Sequence, residues 1–87
     1  PYIPTLGIRY MATVTVRYFA SIRERLGRSE DHIDAAQAKS VADIWRLVAG
    51  EPLPANTLVA VNQEYARPES AVRAGDEVAF FPPVTGG

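Results

Sequence analysis

The sequence predicts an α+β fold in which a mixed sheet of four to five strands carries one main helix packed on one face. Three features predict it: a strictly alternating segment at residues 13–19, a capped amphipathic pattern at residues 40–50, and an apolar strand pattern at residues 77–81. Strands grouped around one strong helix are typical of this class rather than of alternating βαβ units. We expect the first strand to lie beside the last, with the helix crossing their apolar faces.

The composition allows one small domain of 87 residues and excludes several function classes. The formal net charge is −1, which argues against a nucleic-acid-binding domain because such domains carry a basic patch. There is no cysteine, so disulfides, cysteine-ligated metal sites and thiol catalysis are impossible. No apolar run reaches about 18 residues and no secretory leader pattern is evident, so we expect a cytoplasmic protein that binds no membrane.

The ends of the chain differ from its middle. Met11 is the only methionine, and the first strand pattern begins just after it. We therefore expect residues 1–10 to be an extension or cloning remnant, residues 11–83 to form the domain, and residues 84–87 to form a flexible tail. The alternative is that residues 1–10 are a genuine segment that packs on the domain.

The alternating segment at the start of the domain predicts a half-buried strand. Its two faces are apolar (Val14, Val16, Tyr18) and mostly polar (Thr13, Thr15, Arg17, Phe19). After it, Ser21 and Glu24 have the spacing of a helix capping box, and Gly27 is placed to end that short helix. Residues 29–34 are polar and predict an edge or connecting strand. We interpret His32 as a solvated side chain, because a metal site needs several convergent ligands.

The clearest helix signal lies in the middle of the chain. Ser40 is placed as the N-cap with Asp43 completing a capping box, while Gly50 and Pro52 end the helix. One apolar face follows the i, i+3, i+4, i+7 spacing: Val41, Ile44, Trp45 and Val48. We interpret Trp45 as a core residue, since tryptophan buries a large area.

Two further strands precede the last one. Residues 58–61 predict a buried strand that ends at Asn62, and residues 64–66 predict a short strand. Residues 73–76 predict a turn, because Gly75 can adopt a positive φ there. The order of elements therefore agrees with the predicted α+β class.

Two aromatic residues stand on strand faces that should be exposed to solvent. Phe81 shares its face with Glu77, and Phe19 shares its face with Arg17. If the first and last strands are parallel neighbours, both rings lie side by side where the tail leaves the sheet, and Tyr65 can join them. An exposed apolar patch of this kind usually marks a binding surface. The alternatives are a register slip at a strand end, or an N-terminal extension that covers the patch.

The last strand is followed by a tail that ends in two glycines: Pro82-Pro83-Val84-Thr85-Gly86-Gly87. The prolines cannot donate sheet hydrogen bonds and predict a stiff, extended exit. The four residues after them span at most ~14 Å at about 3.5 Å each. The glycines remove steric bulk around the terminal carboxylate, so a narrow slot in another protein can accept it.

No stand-alone catalytic constellation is present, which leaves the terminal carboxylate as the usable chemical group. We find neither a nucleophile–base pair nor a glycine-rich phosphate loop. A carboxylate is ionised at neutral pH and is a poor electrophile, so it must be activated before it reacts. Adenylation by an ATP-using partner is the economical route, and a sulfur donor attacking the acyl-adenylate would leave a thiocarboxylate.

The C-terminal stretch, residues 75–87, resembles the C-terminus of the small subunit of molybdopterin synthase. Further stretches are similar to the same family: Val16-Arg17-Tyr18-Phe19-Ala20 with Arg23-Glu24 and Gly27, and Ala60-Val61-Asn62. The resemblance covers about residues 11–87, and its terminal motif is the specific part.

The resemblance implies a ubiquitin-like β-grasp fold and a role as a sulfur carrier. It implies that an adenylyltransferase resembling ubiquitin-activating enzyme adenylates Gly87, and that a sulfur donor protein then converts the terminus to a thiocarboxylate. The carrier itself would bind no cofactor, because the activating partner uses the ATP. The tail would enter the large, catalytic subunit, where sulfur passes to precursor Z (cyclic pyranopterin monophosphate) to build the molybdopterin dithiolene.

The resemblance also implies the partner-binding residues. Two small subunits would flank a dimer of large ones in a heterotetramer. The interface would involve Phe19, Tyr65 and Phe81, although the family more usually has an aliphatic residue at the position of Tyr65. The tail would contribute Pro82, Pro83, Val84 and Thr85, with Gly86 and Gly87 at the reactive end.

Other functions remain open at this point. Sulfur carriers for thiamine thiazole synthesis or tRNA thiolation also end in Gly-Gly, although Phe80-Phe81-Pro82-Pro83 favours molybdopterin. A protein modifier that forms isopeptide bonds is a second alternative. A β-grasp interaction module with an inert tail, without any catalytic role, is a third.

Overall fold

The computed structural model describes residues 12–83, so the predictions for residues 1–11 and 84–87 lie outside the described part of the chain. The elements in chain order are β1 (Thr13–Tyr18), α1 (Ala20–Leu26), β2 (Glu30–Asp34), a 3₁₀ turn (Ala35–Gln37), α2 (Val41–Ala49), β3 (Leu58–Val61), β4 (Glu64–Tyr65) and β5 (Glu77–Phe81). The predicted α+β class is confirmed. No helix in residues 12–83 is long and apolar enough to span a bilayer.

The five strands form one mixed sheet in the order β2-β1-β5-β3-β4. β1 and β5 are parallel neighbours, as predicted, and the other three pairings are antiparallel. The β1–β5 ladder continues one residue past β1, because the Phe19 N–H donates to the Phe80 carbonyl at 3.2 Å. The polar strand β2 lies at one edge, again as predicted, and the two-residue β4 lies at the other.

The core lies between one face of the sheet and the helices. The even positions of β1 and of β5 are buried there, together with α2 residues: Val14, Val16, Tyr18, Val78, Phe80, Val41, Ile44 and Trp45. The Trp45 and Phe80 rings pack edge to face, with centroids 4.9 Å apart. The interpretation of Trp45 as a core residue is confirmed.

Helix α2 is capped much as the sequence predicts. The Ser40 hydroxyl accepts a hydrogen bond from the Asp43 N–H at 3.2 Å, and the Asp43 carboxylate accepts one from the Lys39 N–H at 3.0 Å. The Lys39 hydrogen bond, followed by those from Ser40, lowers the pKa of Asp43 below its usual range. Gly50 ends the helix at φ 72°.

The capping box predicted from Ser21 and Glu24 was wrong. Helix α1 begins two residues earlier than that box requires, with Phe19 as an N-cap that makes no side-chain capping bond. The chain must turn sharply after β1, and Ala20 makes that turn in the left-handed region at φ 54°. Two N–H groups of the first turn bond to the Phe19 carbonyl, at 3.2 and 3.4 Å, so Ser21 is already inside the helix. The predicted helix end at Gly27 is confirmed, at φ 75°.

A side-chain cluster that the sequence did not suggest ties β1, β2 and the end of α2 together. The Tyr18 hydroxyl donates to the Asp31 carboxylate at 2.7 Å. Arg28 also binds Asp31, donates to the Val48 carbonyl at 2.7 Å and stands 5.6 Å from the Tyr18 ring centroid. Burial, reinforced by the Asp31 carboxylate, raises the pKa of Tyr18 far above its usual range.

The predicted strands in the second half of the chain form, but β3 is not buried on both faces. Within β3 only Val59 is fully buried: Leu58 and Ala60 face the other side of the sheet, and Val61 is half-buried against the core. Asn62 and Gln63, at φ 51° and 71°, make the tight turn from β3 to β4. The predicted turn at Gly75 is confirmed, at φ 91°.

Candidate partner-binding face

The sheet face opposite the helices carries an apolar patch, which we define as Phe19, Leu58, Tyr65 and Phe81. The register pairs Leu58 with Phe81 across β3 and β5. Phe19 follows Tyr18, whose β5 partner is Phe80, so the register places Phe19 next to Phe81. Phe19 is 45% exposed and Tyr65 is 77% exposed. The three aromatic residues predicted to form a binding surface therefore lie on one face, and a register slip is ruled out.

Tyr65 joins the patch by leaning across a neighbouring strand. β4, which carries Tyr65, is separated from β5 by β3, where Ala60 is paired with Tyr65 on one side and with Ala79 on the other. The small alanine side chains leave the space above them open. The Tyr65 ring fills it and approaches Phe81, with ring centroids 6.0 Å apart.

Leu58 is the member of the patch that the sequence prediction missed. It was placed in a strand expected to be buried, whereas its side chain is half-buried on the outer face. Alternation from the buried Val59 was the available signal, because a strand neighbour of a core residue points to the opposite face. The antiparallel partner, Phe81, identifies it as part of the patch.

The other half of the same sheet face is charged. Arg17 forms ion pairs with Glu77 and, at 3.8 Å, with Glu30. The His32 Nε2 atom lies 2.9 Å from Glu30, and its ring is half exposed, in agreement with a solvated histidine. Exposed ion pairs of this kind contribute only about 0–1 kcal/mol each. Their effect is to give the outer face a polar half and an apolar half, with the apolar half at the end where the tail leaves.

The tail begins at that apolar end. Pro82 is half-buried and Pro83 is exposed, directly after the patch residue Phe81. Val84, Thr85, Gly86 and Gly87 lie outside the described residues, so their roles stay predictions. The part of the tail that can be described is its starting point, which lies at the end of the central strand β5 beside the exposed rings of Phe19 and Tyr65.

A groove of about 430 Å³ lies on the helix side of the same sheet end. Its walls come from three places: α1 (Ser21, Ile22, Arg25), the loop before β3 (Pro54, Asn56, Thr57) and the start of the tail (Pro82, Pro83). The sequence did not suggest this groove, because its walls are far apart along the chain. Within residues 12–83, no group of three or more His, Cys, Asp or Glu side chains is placed to hold a metal ion.

Comparison with known proteins adds a family and two curated relatives. The ThiS family model matches residues 16–87. The molybdopterin synthase sulfur carrier subunit of Haemophilus influenzae is 41% identical, over 85% of this chain and 99% of its own length. The subunit of the same name from Chlamydomonas reinhardtii is 35% identical, over 85% of this chain and 98% of its own length.

A structural comparison supports the predicted fold. The small archaeal modifier protein 1 of H. volcanii superposes with a TM-score of 0.72 at 28% identity, over 84% of this chain and 99% of that protein. The order and pairing of the five strands, with a helix crossing the buried face, agree with the ubiquitin-like β-grasp fold implied by the resemblance.

Proposed function

Because this chain belongs to the ThiS family, we propose that it is the sulfur carrier of molybdenum cofactor biosynthesis, the small subunit of a molybdopterin synthase. The observation that carries the proposal is the 41% identity to a molybdopterin synthase sulfur carrier subunit over 99% of that relative's length. The family match extends to residue 87, so it includes the diglycine tail. The carrier is not an enzyme by itself; the active site belongs to the large subunit.

The chemistry we propose takes place on the Gly87 carboxylate. An adenylyltransferase joins a carboxylate oxygen to the α-phosphate of ATP, and pyrophosphate leaves. A hydrosulfide ion from a sulfur donor protein then attacks the acyl carbon, AMP leaves, and a thiocarboxylate remains. In the large subunit that sulfur passes to precursor Z, and hydrolysis restores the carboxylate. The dithiolene contains two sulfur atoms, so each product consumes two loaded carriers.

The apolar patch and its position beside the start of the tail support this role. The apolar patch offers the large subunit a docking surface that includes the residue immediately before the tail. The proline pair stands at the base of the tail, and the four residues beyond it can span at most ~14 Å, so we propose that the partner's active site lies within that distance. We propose a heterotetramer with two carriers on a dimer of large subunits. We propose that the carrier acts in the cytoplasm, as expected from the sequence.

Intact-mass analysis tests the proposed chemistry directly. The carrier is incubated with ATP, the adenylyltransferase and a sulfur source, and we expect one oxygen at the terminus to be exchanged for sulfur. The variant lacking Gly87 should keep its fold, gain no sulfur and support no molybdopterin synthesis. Unchanged molybdopterin synthesis with that variant would refute the carrier role and leave an interaction module with an inert tail.

A protein modifier is the second candidate, and one observation favours it: the 28% identity to small archaeal modifier protein 1. A modifier would use the same acyl-adenylate but transfer the carrier to a lysine amine of a target protein. Mass spectrometry of cell extracts for lysines that carry the Gly87 remnant distinguishes the two. Conjugates that depend on Gly87 would support the modifier role, and their absence alongside sulfur exchange would support the carrier role alone.

A further inference from the structure

We propose that the groove between α1 and the start of the tail is a second docking site for the large subunit, which inserts an apolar side chain flanked by a carboxylate. This inference rests on the proposed function, because it assumes that the large subunit encloses the tail. It adds a surface on the helix side of the sheet that the sequence resemblance does not assign.

The first argument is that the groove continues the apolar patch around the base of the tail. Pro82 follows the patch residue Phe81, and Thr57 precedes the patch residue Leu58, so the two strands that carry Phe81 and Leu58 both adjoin the groove wall. The patch lies on the outer face and the groove on the helix side, with the tail leaving between them. A partner that surrounds the tail from its first residues therefore covers both.

The second argument concerns the lining of the groove. Ile22 is 7% exposed and provides an apolar floor, and the Pro54 and Pro82 rings add apolar walls. Ser21 and Asn56 add polar groups to the lining. A volume of about 430 Å³ is ample for one large side chain with part of its backbone. Apolar recesses with a polar rim are the sites at which protein interfaces place their anchor residues.

The third argument is charge. The Arg25 side chain lines the groove and is 54% exposed. Its Nη2 atom binds Glu51, whereas Nε and Nη1 have no partner among residues 12–83. A guanidinium with unused donors is suited to binding a carboxylate. Arg23 belongs to the same helix but does not line the groove, which makes it a matched control.

Filling the groove tests the proposal. Ser21→Trp places a large ring at its mouth, and Glu24→Trp places the same ring on the same helix outside the lining. Binding to the purified large subunit from the same organism is measured by isothermal titration calorimetry. We expect Ser21→Trp to raise Kd about tenfold, as for the loss of one anchor contact, and Glu24→Trp to change it less than about twofold.

The charge is tested separately with Arg25→Gln and Arg23→Gln. Loss of a charged contact should raise Kd about fivefold for Arg25→Gln, and less in high salt, whereas Arg23→Gln should behave like the wild type. If Ser21→Trp does not fold, as judged by its amide NMR spectrum, the comparison of Arg25→Gln with Arg23→Gln alone tests whether the groove binds the large subunit.

The outcomes separate this inference from the proposed function. Equal affinities within each pair of variants, with binding still weakened in Phe81→Asp, overturn the groove assignment and leave the carrier role intact. A wild-type carrier that does not bind the large subunit at all refutes the proposed function and this inference together. Weaker binding only in Ser21→Trp and Arg25→Gln supports the groove as a docking site.

Discussion

Phe80 and Phe81 are neighbours on the same strand, yet the structure places them in opposite environments. Phe80 is fully buried and packs edge to face on Trp45. Phe81 is half-buried on the outer face and has Tyr65 as its ring partner. Two residues of one type, one position apart, therefore differ only in which face of the sheet they occupy. One strand therefore contributes both to the stability of the fold and to the surface offered to a partner.

The largest expected effect comes from the buried member of this pair. Phe80→Ala removes a ring from the core beneath Trp45, and we expect the free energy of unfolding to fall by about 3–5 kcal/mol. Phe81→Ala should lower it by less than about 1 kcal/mol, because that ring is already in contact with solvent. Urea denaturation measures both. Similar losses for the two variants would contradict the assignment of the two faces.

The second effect concerns binding rather than stability. Phe81→Asp places a charge in the apolar patch, and we expect its Kd for the large subunit to rise about thirtyfold, or ~2 kcal/mol. Leu47→Asp is the matched control, since Leu47 is 47% exposed on α2, on the opposite side of the sheet. Calorimetric titration of both variants with the large subunit measures the two Kd values. Equal affinities would show that the outer face is not the interface.

A smaller effect on stability is expected from the hydrogen bond that links β1 to the edge strand β2. Tyr18→Phe removes the hydroxyl that donates to Asp31, and we expect a loss of about 1 kcal/mol in the free energy of unfolding. Tyr65→Phe is the control on the outer face, because the Tyr65 hydroxyl has no hydrogen bond among residues 12–83. Chemical denaturation should separate the two, and a larger loss in Tyr65→Phe would contradict the role of the cluster.

The smallest effect lies at the start of α2 and depends on pH. The pKa of the Asp43 carboxyl is lowered in the folded protein, chiefly by the Lys39 N–H, so its contribution is present above the ordinary aspartate range of about 4. That contribution is lost as the pH falls through the lowered pKa. The wild type should therefore lose more stability on acidification than Asp43→Asn. Thermal melts at neutral and acidic pH test this, and parallel curves would contradict it.

Much of the fold followed from local patterns. The alternation in β1, the Ser40 cap, the glycine helix ends and the proline stop after β5 are each set by residues within a few positions of one another. The error at Ser21 is instructive. A capping box is a local pattern, but the sharp turn at Ala20 is imposed by where the chain must go after β1, and it began the helix before the box could form.

Side-chain periodicity and short motifs were enough to predict which strand faces are apolar, where α2 begins and ends, and which family the tail resembles. The pairing of β1 with β5 was predicted, but the place of β3 on the other side of β5, which adds Leu58 to Phe19, Phe81 and Tyr65, is seen only in the folded chain. The tertiary structure alone formed the groove around Ile22 and Arg25. Strand pairing joins residues that are distant in sequence, and the pattern within one strand does not specify every strand that pairs with it.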